Sequence, residues 1–100
     1  MSERQYAVYI MCNWENTVLY IGVTNNLGRR VLEHEDGELK GFTQKYNCKK
    51  LVYYEVTESV HVALEREKQL KRWHKDWKKN LIKEANPTFE NLKDEVLSPF

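Results

Sequence analysis

The sequence is poor in the residues that anchor metals, disulfides or membranes. Its 100 residues include two cysteines, Cys12 and Cys48, which lie far apart and form no C-x-x-C pair. They read as reduced thiols of a cytoplasmic protein whose core forms without disulfides. No cluster of His, Cys or Asp has zinc spacing. There is no glycine-rich phosphate loop and no G-x-S-x-G nucleophile. No apolar run approaches ~18 residues, so no membrane span is expected. The opening MSERQ is charged where a signal peptide would be apolar. Internal repeats, low-complexity segments and linkers are absent too.

Apolar residues make up 41% of the chain, with three tryptophans and six tyrosines. That is enough for one domain over residues 1–100 with a single core. The formal net charge is only +1, but the charge is unevenly placed. Arg66, Lys68, Lys71, Arg72, Lys75, Lys78, Lys79 and Lys83 face only Glu67 and Asp76, and an acidic tail follows from Glu84. Such a stretch is either a polyanion-binding surface or a solvated helix flank.

Alternation of apolar residues predicts strands over Tyr6–Met11, Val18–Thr24 and Leu51–Val56, the first two joined as a hairpin around CNWENT. Asn25 or Asn26 can cap a helix that starts near Leu27, and Ser59 can cap a long one through Trp73. A further helix is expected over Asp76–Glu84, stopping before Asn86-Pro87, and TFENL is expected to add a short C-terminal turn or helix. The fold class is α+β, a small three-stranded antiparallel sheet flanked by helices in the order β-β-α-β-α-α.

Several residues break this pattern. Side chains alternate across a strand, so Tyr9 shares a face with Ala7 and Met11, and Tyr20 shares one with Val18, Gly22 and Thr24. A glycine inside a strand often marks close approach by a ligand or another backbone. On the first helix Leu27, Arg30, Val31 and His34 share a stripe, while Arg29 and Glu33 are expected to point away. On the long helix Ala63, Glu67, Leu70 and His74 share another, with Glu67 where an apolar residue belongs. A carboxylate there needs a partner. An Arg30–Glu67 ion pair is one solution, and a polar cleft lined by two tyrosines, an arginine, a histidine and a carboxylate is the other.

Such a cleft suits phosphodiester hydrolysis. An arginine fork can stabilise the non-bridging oxygens. One carboxylate can hold a hard dication that completes its shell with waters and phosphate oxygens. A tyrosine or histidine can take a proton from the attacking water, and a tyrosine base would need a lowered pKa, with Arg30 or the metal as the source.

The segments AVYIM, VLYIGVTNNLGRRVLEH, FTQKYN, LVYYEV and ALEREKQLKRWHKDWKKNLIKEANP together resemble the GIY-YIG nuclease superfamily over about residues 6–92. The similarity is greatest to its small stand-alone bacterial members, related to the nuclease domain of the excision-repair endonuclease subunit. It implies that Tyr9 and Tyr20 are the motif tyrosines, Gly22 the motif glycine, Arg30 the catalytic arginine and His34 its catalytic companion. Glu67 would be the metal ligand, with Glu65 as competitor and helical phase in favour of Glu67. The first motif reads Ala7-Val8-Tyr9, without its glycine. The resemblance further implies a magnesium- or manganese-dependent endonuclease with one ion on Glu67, acting on DNA (RNA stays open) in repair or recombination. Lys45, Lys68, Lys71 and Lys78 are the expected nucleic-acid contacts, with no membrane partner. The rival reading is a non-catalytic nucleic-acid-binding module using the same basic surface. Trp73 and Trp77 are expected to pack the last two helices together, His61 and His74 to lie on the surface, and Phe42 and Tyr46 to pack or touch DNA.

Overall fold

A computed structural model describes residues 5–38, 41 and 45–97; the charged residues 1–4 and Phe42 lie outside them. Strands β1 (Tyr6–Cys12) and β2 (Leu19–Thr24) are followed by helix α1 (Leu27–Asp36) and strand β3 (Lys50–Thr57). Helices α2 (Val60–Arg72), α3 (Lys75–Ala85) and the short α4 (Lys93–Leu97) complete the chain. The sheet is antiparallel throughout with the order β2-β1-β3. Among the described residues no helix is long and apolar enough to cross a membrane.

β1 is the central strand, and every residue from Ala7 to Cys12 is buried. Its alternation divides the core in two. Val8, Ile10 and Cys12 join Ile21 and Val52 beneath Ala63 and Leu70 of α2 and Ile82 of α3. On the other face Ala7, Tyr9 and Met11 join Leu51 beneath Leu27 and Val31 of α1. The apolar stripes of α1 and α2 therefore cover opposite faces of one sheet.

The local signals behave as their chemistry requires. Asn13 closes the hairpin, its amide donating to the Thr17 hydroxyl at 2.8 Å and its carbonyl accepting from the amides of Thr17 and Val18. Asn26 caps α1 by accepting from Arg29 N, and Ser59 caps α2 by accepting from Val62 N. α1 ends at Gly37, whose φ of 73° only glycine adopts cheaply.

Of the turn or helix expected at TFENL, the structure has the turn, at Pro87 and Thr88, closed by Phe89 N donating to Asn86 O at 3.1 Å. That segment is not helical, and the last helix begins at Lys93. Phe89 takes a φ of 55° and buries its ring in the core. The backbone is then tied to the edge strand β3, with Leu51 N donating to Asn91 Oδ1 at 3.2 Å and Leu92 N donating to Leu51 O at 2.7 Å. These bonds occupy groups that an edge strand would otherwise expose. Asn86, expected only to stop a helix, is buried and donates its amide to the carbonyls of Val52 and Glu90 while accepting from Glu90 N. Replacing Asn86 with alanine leaves these groups without partners. It should cost about 1–3 kcal/mol, read as a lower denaturant midpoint with the slope unchanged.

Candidate active site

The site begins at a missing side chain. Tyr9 and Gly22 are direct cross-strand partners, and the tyrosine ring lies flat across the glycine. A Cβ on Gly22 would stand 2.6 Å from the Tyr9 hydroxyl. Gly22 thus provides the space through which the phenol reaches from the central strand across the edge strand β2.

There the Tyr9 hydroxyl meets His34, at 3.1 Å from Nε2. Leu27 and Val31, both buried, seat α1 on the sheet so that His34 one turn later faces inward. Tyr20 completes a triangle of rings, its centroid 6.2 Å from that of Tyr9 and 5.4 Å from that of His34. Arg30 lies beside them on α1, and its charge acts on both Tyr9 and His34.

Burial dominates the electrostatics. It pushes the Tyr9 phenol well above the ordinary range, Tyr20 pushes the same way, and Arg30 opposes them. The expectation that Arg30 lowers the pKa of a tyrosine base is therefore corrected for Tyr9: the arginine acts in that direction, but desolvation outweighs it. His34 goes down to about 4, through burial first and the Arg30 charge second. At neutral pH the pair is a neutral phenol against a neutral imidazole, and Nε2 can accept the phenolic proton.

Arg30 and Glu67 do not pair. Arg30 Nη1 lies 3.3 Å from Glu33 Oε1, and Glu67 Oε2 lies 3.4 Å from Lys71 Nζ. The expectation that Glu33 points away is corrected by the same contact. A half-buried guanidinium draws the nearest carboxylate one turn along its own helix. Arg30 Nε, His34 Nδ1 and the Glu33 oxygen Oε1 stay buried without a hydrogen-bond partner among the described residues. Orphaned donors of this kind suit a ligand that brings acceptor oxygens.

Glu67 arrives from α2, which packs on the other face of the sheet. Its side chain is only 20% exposed, and its charge reaches the Tyr9 phenol. α2 packs on β1 and β2, so it approaches the edge strand across which Tyr9 projects. Glu65 instead lines an outer groove with Lys68, Gln69, Arg72, Trp73 and Trp77.

Among the described residues no three His, Cys, Asp or Glu side chains gather to hold a metal. A zinc-like ligand set does not fit. A hard dication that keeps most of its waters and takes oxygens from a bound phosphate does fit a single carboxylate such as Glu67.

The expected basic contacts separate. Lys71 flanks Glu67, Lys78 lies by the β1–β2 hairpin with Tyr46, and Lys45 sits 5.4 Å over the Tyr46 ring. Lys68 lies on the outer groove. Trp73 packs on the core and meets Trp77 edge-on at 6.1 Å, yet Trp77 is 56% exposed, so only one tryptophan performs the expected packing. His61 and His74 are exposed, as expected.

Residues 5–80 match the model of the GIY-YIG catalytic domain, and the chain belongs to the GIY-YIG family, whose general activity is endonucleolytic and generally uses divalent metals. The similarity narrows to small stand-alone members. The chain is 32% identical over 85 residues to a UPF0213 protein of Haloquadratum walsbyi, covering 85% of this chain and 93% of that one. It is 33% identical over 91 residues to a UPF0213 protein of Clostridium perfringens, covering 91% and 96%. The solution structure of a UPF0213 protein from Bacillus halodurans has the same fold, with a TM-score of 0.57 at 23% identity over 90% of this chain and 95% of that one.

The depressed His34 pKa makes stability depend on pH. Between about 6.5 and about 4 the unfolded chain binds a proton that the folded chain refuses. Stability therefore falls as pH drops through that window. A His34→Gln variant should lose this component, worth at most about 3 kcal/mol. The check is melting temperature from pH 7 to pH 4, parent minus variant, and the difference should shrink as the pH falls.

Proposed function

We propose that the protein is a divalent-metal-dependent endonuclease that hydrolyses phosphodiester bonds of DNA, in repair or recombination. The observation that carries this reading is the buried contact of the Tyr9 hydroxyl with His34 Nε2 at 3.1 Å beside an arginine whose Nε has no hydrogen-bond partner among the described residues. A binding module has no need of a buried proton acceptor.

The scissile phosphate sits against Arg30, which supplies its free donor to a non-bridging oxygen and stabilises the charge that grows there in the transition state. Tyr9 orients the attacking water. As the water gives a proton to the phenol oxygen, the phenol gives its own to His34 Nε2. His34 is a weak base in the free protein because of burial and Arg30. An arriving phosphate offsets the arginine charge and moves the imidazole toward a useful pKa. Tyr20, on the same face, closes the other side of the cluster. Glu67 would hold the ion, magnesium or manganese, after exchanging Lys71 for it, and the ion would supply Lewis-acid stabilisation at the phosphate. Lys45, Lys71 and Lys78 draw the polyanion in, with Lys68 farther around α2.

Glu67→Gln keeps the side chain's shape and gives up only a pair one turn along its own helix with a lysine that is itself largely in solvent, worth under ~1 kcal/mol. Its melting temperature and DNA affinity should stay near the parent's while metal-dependent plasmid nicking collapses. Arg30→Ala should lose on the order of 100-fold or more in nicking rate. A Glu67→Gln variant that nicks at the parental rate contradicts the assignment. A parent that binds DNA but nicks under no magnesium or manganese condition favours the binding module.

A further inference from the structure

Arg30 has a carboxylate beside it that the chemistry above does not use. Glu33 stands one turn along α1 with Oε1 3.3 Å from Arg30 Nη1, and the two side chains are 26% and 30% exposed. This contact does not orient the guanidinium. Glu33 Oε1 is buried and accepts no hydrogen bond among the described residues, and the buried Arg30 Nε donates none. The charges touch without the paired N–H···O bonds that fix an arginine on a carboxylate. The effect on the site is electrostatic: a fixed anion partly offsets the cation that meets the phosphate.

A fixed negative charge repels a ligand in proportion to the ligand's own charge. Hydrolysis changes that charge. The water oxygen bonds to phosphorus, one P–O ester bond breaks, and one of the water's protons ends on the leaving oxygen. The other ionises from the new monoester with a pKa of about 6. A diester with one negative charge thus becomes a chain-end phosphate with about −1.5 to −2 at pH 7. Arg30 alone would hold that product more tightly than the substrate. Glu33 opposes this, and most strongly for the more charged species. Its partial burial preserves the discrimination, which salt and bulk water would erase at an open surface.

We infer that Glu33 is a specificity-determining residue, a charge filter through which the Arg30 site accepts an internal phosphodiester and rejects a terminal phosphomonoester. It favours internal phosphates over chain ends and speeds release of the cut product. The inference rests on the nuclease reading for Arg30 as the phosphate contact.

The test is binding in the presence of a chelator, so that cutting plays no part. A short, internally labelled oligonucleotide is titrated with hydroxyls at both ends, with a 5′-phosphate, and with a 3′-phosphate. The quantity read is the ratio of affinities, phosphorylated over hydroxyl-ended. Glu33→Gln and Glu33→Ala should each raise that ratio about fivefold for at least one end, the upper range for a partly exposed charge pair. Glu33→Asp keeps the charge and should stay near the parental ratio. So should Glu38→Gln, the same change of charge at an exposed position just past α1. In an Arg30→Ala background Glu33→Gln should leave the ratio where it was. A ratio unmoved by Glu33→Gln, matched by Glu38→Gln, or still raised without Arg30 overturns the filter. If the ratio stays put while the parent nicks DNA, the filter alone falls. If it moves as expected while the parent nicks nothing, the filter stands and the nuclease reading falls.

Discussion

The site depends on one contact, the buried hydroxyl of Tyr9 against Nε2 of His34 across the bare backbone of Gly22. Each part requires the others. Without the glycine the phenol has no passage over the edge strand. Without Leu27 and Val31 seated on the sheet, α1 would not turn His34 inward. Burial on both sides keeps the phenol protonated and the imidazole neutral. The result is a pair in which a proton has one direction to travel.

On the proposed reading, substrate completes what the free protein leaves open. Burial first and the Arg30 charge second depress His34, and the Arg30 Nε has no hydrogen-bond partner among the described residues. An anion placed there satisfies the guanidinium and raises the basicity of the histidine together. On this reading the same charge that binds the phosphate also switches on the proton acceptor. Glu67 stands on the helix that packs on the opposite face, and its charge still reaches the Tyr9 phenol.

Much of this was legible in the sequence because it rests on periodicity. Strand alternation put Tyr9, Tyr20 and Gly22 on one face, and helical phase turned Glu67 inward and Glu65 outward. What was not legible depends on distances between elements or on dielectric environment. The pairing of Arg30 with Glu33 follows from how deeply α1 sits, which spacing alone does not report. The rise of the Tyr9 pKa follows from desolvation that outweighs a neighbouring cation. Asn86 and Asn91 read as a helix stop and part of a short turn or helix because their bonds run to β3, more than thirty positions earlier.

The most direct measurement is the titration of His34 by NMR of its ring nitrogens. The account predicts a neutral imidazole with the proton on Nδ1 and Nε2 accepting from Tyr9, unchanged from pH 8 to below pH 5.5 and titrating near 4. Addition of a short oligonucleotide should move the midpoint upward. A midpoint near 6.5 in the free protein, or a proton on Nε2 at neutral pH, would contradict the Tyr9–His34 proton path.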